Sequence, residues 1–558
     1  MAFDLRFACA ALLLLAGKFA TAQAFRPPAT PLVTSDPFLS IWSENDRLTD
    51  GPTRHWTRRP HALESLVKVD GSWYRIMGDG SPADALPQRS LTVTPTRTIY
   101  RFGNAKVEVS LTFMTPALPD DLDVYARPVT YLTWAVRSAD GKRHNVEIEF
   151  LADTAICMNE PYKPVSVNVE KFGGLAATKF GLKDQTLLRP AGDDSRINWG
   201  YGYVAARIDR SKPLAQTVWV DTAGPMVKVG MSFDLGKVGT KPATRQAMIG
   251  YDELYSIEYF GQKLRPYWRR NGMTPEALFT QAAKDYPKLA KRCEAFDSQL
   301  MADAAKVGGA KYAQIVALSY RECVAANGLA ADAHGQPLLF TKENTSNGDI
   351  ATVDVIFPMD PIWILLSPSL AKASLVSNFA YAASPHWKFP NAPHDLGTYP
   401  LVFGRDDGGE GMPVEESGNM IILTDAIAHA EGNARFAAKW WPQLTQWAKY
   451  LEKYGLDPEN QLCTDDFMGH LAHNANLSVK AILALGAYGD LCKMRGDAAT
   501  GNRYLRMARE DARHWMKVAD AGDHSLLAFD KPNTWSQKYN LVWDSILGLN
   551  AFPPSVAQ

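Results

Sequence analysis

Polar and apolar positions alternate through the first half of the chain. Leu91-Thr92-Val93-Thr94, Thr98-Ile99-Tyr100-Arg101-Phe102, Lys106-Val107-Glu108-Val109-Ser110-Leu111, Val129-Thr130-Tyr131-Leu132-Thr133-Trp134 and Val146-Glu147-Ile148-Glu149-Phe150 all have period two. Asp140-Gly141 and Gly224-Pro225 punctuate them as turns. Such runs at short spacing predict an antiparallel β-sandwich over residues 25–268. At Thr274-Pro275-Glu276 a Thr suited to an N-cap is followed by Pro at the first helical position, and the period becomes helical. Residues 269–558 are therefore expected to be helical to the end.

Within that half, Phe436, Trp440, Leu444, Trp447 and Leu451 form one stripe closed by Gly455, and Leu477, Ala481, Leu485, Tyr488 and Cys492 form another. Both stripes read first as core. Long polar connectors precede the helices starting near 418, 473 and 537, with helices near 434–454 and 498–520 returning between them. Every second connector being long is the plan of an α/α six-hairpin toroid, whose connectors meet at one mouth and form a pocket there. A superhelical stack of hairpins is the competing arrangement. The pattern supplies about nine helical segments where six hairpins need about twelve, so the toroid is expected to be C-terminally truncated or covered by another subunit along its open edge.

Composition narrows the function. With 59 Lys+Arg against 60 Asp+Glu the formal net charge is -1, and no basic run stands out, which argues against nucleic acid or an anionic membrane as partner. A small-molecule substrate is expected instead. Residues 1–24 combine Arg6, an apolar stretch from Phe7 to Gly17 and Ala22-Gln23-Ala24, the pattern of a secretory signal cleaved near Ala24 that leaves a secreted or periplasmic protein. Five cysteines remain beyond residue 24, without CxxC spacing, so neither a disulfide framework nor a cysteine zinc site follows.

The candidate chemistry lies in four connectors. They carry Lys342, Glu343 and Asn344, running on to Asp354; Trp387, His394 and Asp395, running on to Glu415 and Glu416; Asp465, Asp466, His473 and Asn474; and Asp530 and Trp535. Each acid has a plain structural alternative. Asp465 or Asp466 suits a helix N-cap, and Glu415 and Glu416 suit the positive end of a helix dipole. Adjacent acids at a buried mouth also push each other's pKa values apart, which makes one an acid and another a base. Glu415, Glu416, Asp465 and Asp466 are the catalytic candidates, and the other connector residues are candidates for substrate binding. No cofactor is expected. His470-x-x-His473 near two Asp offers donors for a divalent cation, but HExxH, EF-hand, Walker and dinucleotide patterns are absent, as is G-x-S-x-G.

These connectors resemble one known family. Pro31 to Phe38, Leu48 to Trp56, Lys342-Glu343-Asn344, Ala392 to Pro400, Met412 to Asn419, Leu462 to Asn476 and Phe529 to Leu541 are similar to the secreted glutaminase A-type proteins with a six-helical-hairpin domain. The resemblance implies a β-sandwich packed on an α/α toroid and hydrolysis of the side-chain amide of L-glutamine. A glycoside hydrolase using a carboxylate pair, with Trp387 and Trp535 as sugar platforms, and a non-catalytic carbohydrate-binding protein remain the alternatives.

Overall fold

The computed structural model describes residues 25–208, 216–222, 224, 226–405, 411–464 and 469–557. The expected signal segment and the candidates Asp465 and Asp466 lie outside the described residues.

The alternating runs form two facing antiparallel layers. An eight-stranded sheet holds Gln88–Val93, Arg97–Gly103, Val107–Met114, Val129–Ser138, Ala243–Asp252, Tyr201–Arg207, Leu175–Leu182 and Val165–Phe172, in that spatial order. A six-stranded sheet is built around His144–Asp153, which pairs Leu63–Val69 on one side and Lys228–Val238 on the other. The period-two pattern works because one face of each sheet is buried: Trp134 from the first meets Phe150 and Phe233 from the second at centroid separations of 5.6 and 6.0 Å. Its indole N–H donates to Ser65 Oγ at 3.1 Å, so the one polar atom of this buried ring is satisfied.

Helix α1, Pro275–Ala325, begins at the Thr274 cap as the sequence predicts. Two helical segments are expected here from the sequence, near 275–303 and 308–328, and the structure has two, meeting at a kink at Gly309, whose φ of 80° is accessible to glycine at little cost. α1 fastens the helical half to the sandwich. Its buried Asp297 accepts hydrogen bonds from Thr96 N, Thr96 Oγ1, Thr94 Oγ1 and Arg97 Nε at 2.6–2.9 Å. Its buried Arg321 donates to Thr34 Oγ1 at 2.8 Å.

After α1, the α-helices among the described residues are α2 (Val353–Met359), α3 (Pro361–Leu366), α4 (Pro368–Ala382), α5 (Pro413–Glu431), α6 (Arg435–Lys439), α7 (Trp441–Tyr454), α8 (Ala475–Met494), α9 (Ala498–Val518) and α10 (Val542–Leu547). Burial separates inner from outer helices. α5 and α8 are buried on nearly every face, whereas α7 and α9 bury a single stripe, as the alternating toroid plan requires. The protein thus has an antiparallel β-sandwich packed on an α-helical hairpin domain.

One expectation fails: the second half is not helical throughout. Asn327–Ala331 and Pro337–Thr341 pair as a hairpin, and the latter strand is followed at once by Lys342. Both strands are buried nearly end to end, so no polar face interrupts them and the period-two signal is lost. Gly455 does end α7 as expected, with a right-handed φ of -88°, while left-handed glycine caps stand at Gly432, φ 65°, at the end of α5 and at Gly548, φ 65°, at the end of α10.

Candidate active site

Helix α5 starts at Pro413, and Val414 N is capped by Gln461 Oε1 at 3.0 Å. Its first turn therefore carries Glu415 and Glu416 into the interior, where the positive end of the helix dipole favours their charge. Both are buried.

The two acids have different surroundings. Glu416 is saturated: Oε1 lies 2.5 Å from His394 Nδ1, and Oε2 accepts from Asn419 Nδ2 at 3.1 Å. Glu415 is loaded on one oxygen only. Its Oε1 accepts from Lys480 Nζ, from Thr464 Oγ1 at 2.6 Å and from Asn419 Nδ2 at 3.3 Å, while its Oε2 is buried without a hydrogen-bond partner. Lys480 reaches this point from the middle of α8, donates to Asn419 Oδ1 at 2.6 Å and sits 3.9 Å from the centroid of the Phe357 ring. Gly418 makes room for it: a Cβ there would stand 2.8 Å from Lys480 Cγ.

Opposite them, the first turn of α2 presents Asp354. Its Oδ1 is buried, lacks a hydrogen bond and lies 3.9 Å from His394 Nδ1. Asp354, His394 and Glu416 each offer one atom, all within 4.8 Å of one another, a set that could also hold a cation. Burial pushes the Asp354 carboxyl up to about 6, with Glu415 adding to the rise and His394 opposing it. Burial and Asp354 likewise raise Glu416. Burial disfavours charge on His394, but the bond to Glu416 and the charges of Glu416 and Asp354 prevail and raise it, so the imidazole stays protonated through neutral pH.

The second connector continues into a buried pair. Asp395 accepts from Gly397 N at 2.6 Å and meets Arg405 Nη1 at 3.3 Å, while Arg405 also takes Asp349 through both its amino groups. Burial, then the nearby Asp349, brings Asp395 up to about 7.

The sandwich contributes too. The buried Lys342 donates to Asp193 O at 2.9 Å and lies 4.8 Å from the Trp56 ring centroid, and burial lowers its ammonium to about 8. Thr345 N donates to Asp193 Oδ1 at 2.7 Å, which holds the segment carrying Glu343 and Asn344 against the sandwich loop. Glu343 bonds Ser346 Oγ, and Asn344 Oδ1 is buried without a partner.

Other candidates stand apart from this cluster. Trp387 is buried, donates to Asn391 O at 2.8 Å and packs against Tyr381 and Phe389, so no face is left to support a sugar. Asn474 is the N-cap of α8, accepting from Leu477 N at 3.0 Å. His473 pairs with Asp457 at 2.7 Å. Asp530 is half-exposed, and Trp535 is 64 % exposed. Asp354, Lys480, Asn419 and Thr464 were not singled out as site residues from sequence. A signal existed for Lys480 alone, as a cation set in the apolar run from Leu477 to Leu485.

Fold and site together define a sandwich-plus-hairpin architecture with a buried carboxylate centre. Residues 309–558 match the glutaminase A six helical-hairpin domain, and residues 96–303 and 7–91 match two domains of unknown function, DUF5127 and DUF4964. The chain is 29 % identical over 605 residues to glutaminase A of Aspergillus oryzae, covering 98 % of this chain and 85 % of that one. Its helical half thus matches the glutaminase A-type family, and the chain is similar to that family's Aspergillus oryzae member along nearly all of its length. Among solved structures it is similar to a bacterial glucoamylase complexed with acarbose, at 11 % identity and a TM-score of 0.44 over 89 % of this chain and 69 % of that one. It is also similar to a family GH92 α-mannosidase from Bacteroides thetaiotaomicron, at 11 % identity and a TM-score of 0.35 over 88 % and 64 %. No helix among the described residues is long and apolar enough to cross a membrane.

Proposed function

We propose that the protein hydrolyses the side-chain amide of L-glutamine to glutamate and ammonia, with Glu415 as general base and Asp354 as general acid. The observation that carries this reading is that these two carboxyls, on α5 and α2, are the pair at the cluster with a buried oxygen lacking a hydrogen bond. Glu415 Oε1 is fixed by Lys480, Thr464 and Asn419, which leaves Oε2 to take a proton from water as that water attacks the amide carbon. Asp354, whose burial favours the protonated form up to about pH 6, gives its proton to the nitrogen as the C–N bond breaks and ammonia leaves. The charges on Lys480 and His394 favour the oxyanion of the tetrahedral intermediate. The name and extent of the Aspergillus oryzae relative support the choice of glutamine.

A glycosidase would use the same two carboxyls. Purified protein should release ammonia from L-glutamine, and Glu415→Gln and Asp354→Asn should each lose at least about a hundredfold in kcat while keeping the wild-type circular dichroism. Turnover of aryl glycosides or oligosaccharides without ammonia release would overturn the amidase reading. A protein that binds glycans and turns nothing over would overturn both.

A further inference from the structure

Away from the carboxylate centre, the far half of α5 carries a second cluster. Asp425 and His429 are one helical turn apart on α5 and face Asp490 on α8. Asp425 is fully buried, and both of its carboxyl oxygens lack a hydrogen-bond partner. His429 Nε2 is 3.9 Å from Asp425 Oδ1 and 2.8 Å from Asp490 Oδ2, and the three groups each offer an atom within 4.8 Å of the others.

A carboxyl sealed into a helix–helix contact with both oxygens unsatisfied is an expensive thing to retain. Nearby cations do not relieve it. Arg435 bonds Asn433 Oδ1 at 2.9 Å, and Arg495 lies against the Trp441 ring at 3.8 Å. Nor is the cluster sealed from solvent: His429 is 39 % exposed and lines an open depression of about 590 Å³ with Gly432, Asn433 and Arg435. The site therefore has an entrance, a buried anionic floor and an imidazole at its mouth.

We infer that Asp425, His429 and Asp490 bind one divalent transition-metal ion of the zinc type. An imidazole nitrogen with two carboxylate oxygens suits such an ion better than calcium or magnesium, which favour all-oxygen sets. Asp425 supplies the buried oxygen, His429 turns its Nε2 lone pair from Asp490 to the metal, Asp490 follows as third ligand, and water entering through the depression completes the shell. The ion would clamp α5 to α8 at the end away from Glu415. It is independent of the amidase reading and serves structure, not turnover.

Zinc chloride titrated calorimetrically into EDTA-stripped full-length protein should bind at one ion per chain and raise Tm by several degrees. His429→Gln, a change at a half-exposed position, should abolish both effects and leave the circular dichroism and the activity of the metal-free protein unchanged. Asp425→Asn should also abolish binding. Cobalt(II) substituted for zinc should give visible d–d bands that disappear in both variants. Saturable binding that survives His429→Gln but is lost in Glu416→Gln would assign the ion to the Asp354–His394–Glu416 set and overturn the inference, as would no binding at millimolar zinc.

Discussion

Lys480 crosses from the middle of α8 to place its ammonium on Glu415 Oε1, and neither side chain has measurable contact with solvent. A buried pair of this kind stabilises little against an apolar replacement, but removing one member leaves the other charged and sealed in.

Lys480→Met should therefore destabilise the fold by about 3 to 5 kcal/mol. Adding Glu415→Gln to it should recover much of that loss, because the stranded charge is gone. Denaturant unfolding of the two single variants and the double variant measures the coupling. Simple additivity would mean that the pair is not formed.

Gly418→Ala tests the same contact through geometry alone. Alanine is the better helix former by about 1 kcal/mol, yet its Cβ would stand 2.8 Å from Lys480 Cγ. The Lys480 chain must shift, and Glu415 loses its fixed partner. The expected result is a kcat at least about tenfold lower with Tm changed by only a few degrees. Unaltered kcat would show that Lys480 does not position Glu415.

The pH profile should fall on its alkaline side as Asp354 loses its proton near 6. His394 opposes the rise in Asp354, so His394→Gln should move that limb to higher pH by removing a positive charge. Stability follows the same sign. The folded pKa of Asp354 lies above the unfolded value of 3.8, so its contribution is full below 3.8 and is lost as pH rises through 6. Rate measurements from pH 4 to 9 check the limb; movement to lower pH in His394→Gln would contradict the assignment.

At the junction of the two halves, Asp297→Ala should cost about 3 to 5 kcal/mol, because Arg97 and both threonine hydroxyls lose a buried acceptor at once. Calorimetry should then show the sandwich and helical halves melting apart. A single unshifted transition would mean that α1 does not couple them.

Particular residues show what the sequence could reveal. The strand from Val129 to Ser138 was readable because its alternate residues face a core, and α5 and α8 were readable as inner helices from the long connectors before them. The hairpin from Asn327 to Thr341 was hidden because burial of both its faces removed the alternation. At the site, Glu415 and Glu416 were visible as adjacent acids on the first turn of a helix. Their difference in role was not, because it depends on Lys480, which is 65 residues further on, and on His394, which is 22 residues before Glu416. Asp354 was visible only as the end of a polar connector, and only the meeting of α2 with α5 gives it chemistry.

Lys342 rests on the carbonyl of Asp193 and over the ring of Trp56, both supplied by the sandwich. The sandwich therefore grips the connector between the Asn327–Thr341 hairpin and α2 from outside the helical domain. Asp193 does so twice, through its carbonyl on Lys342 and its carboxylate on Thr345 N. A change in the loop around Asp193 is felt along the backbone that leads to Asp354, so the β-half works as a vice on a segment of the helical half.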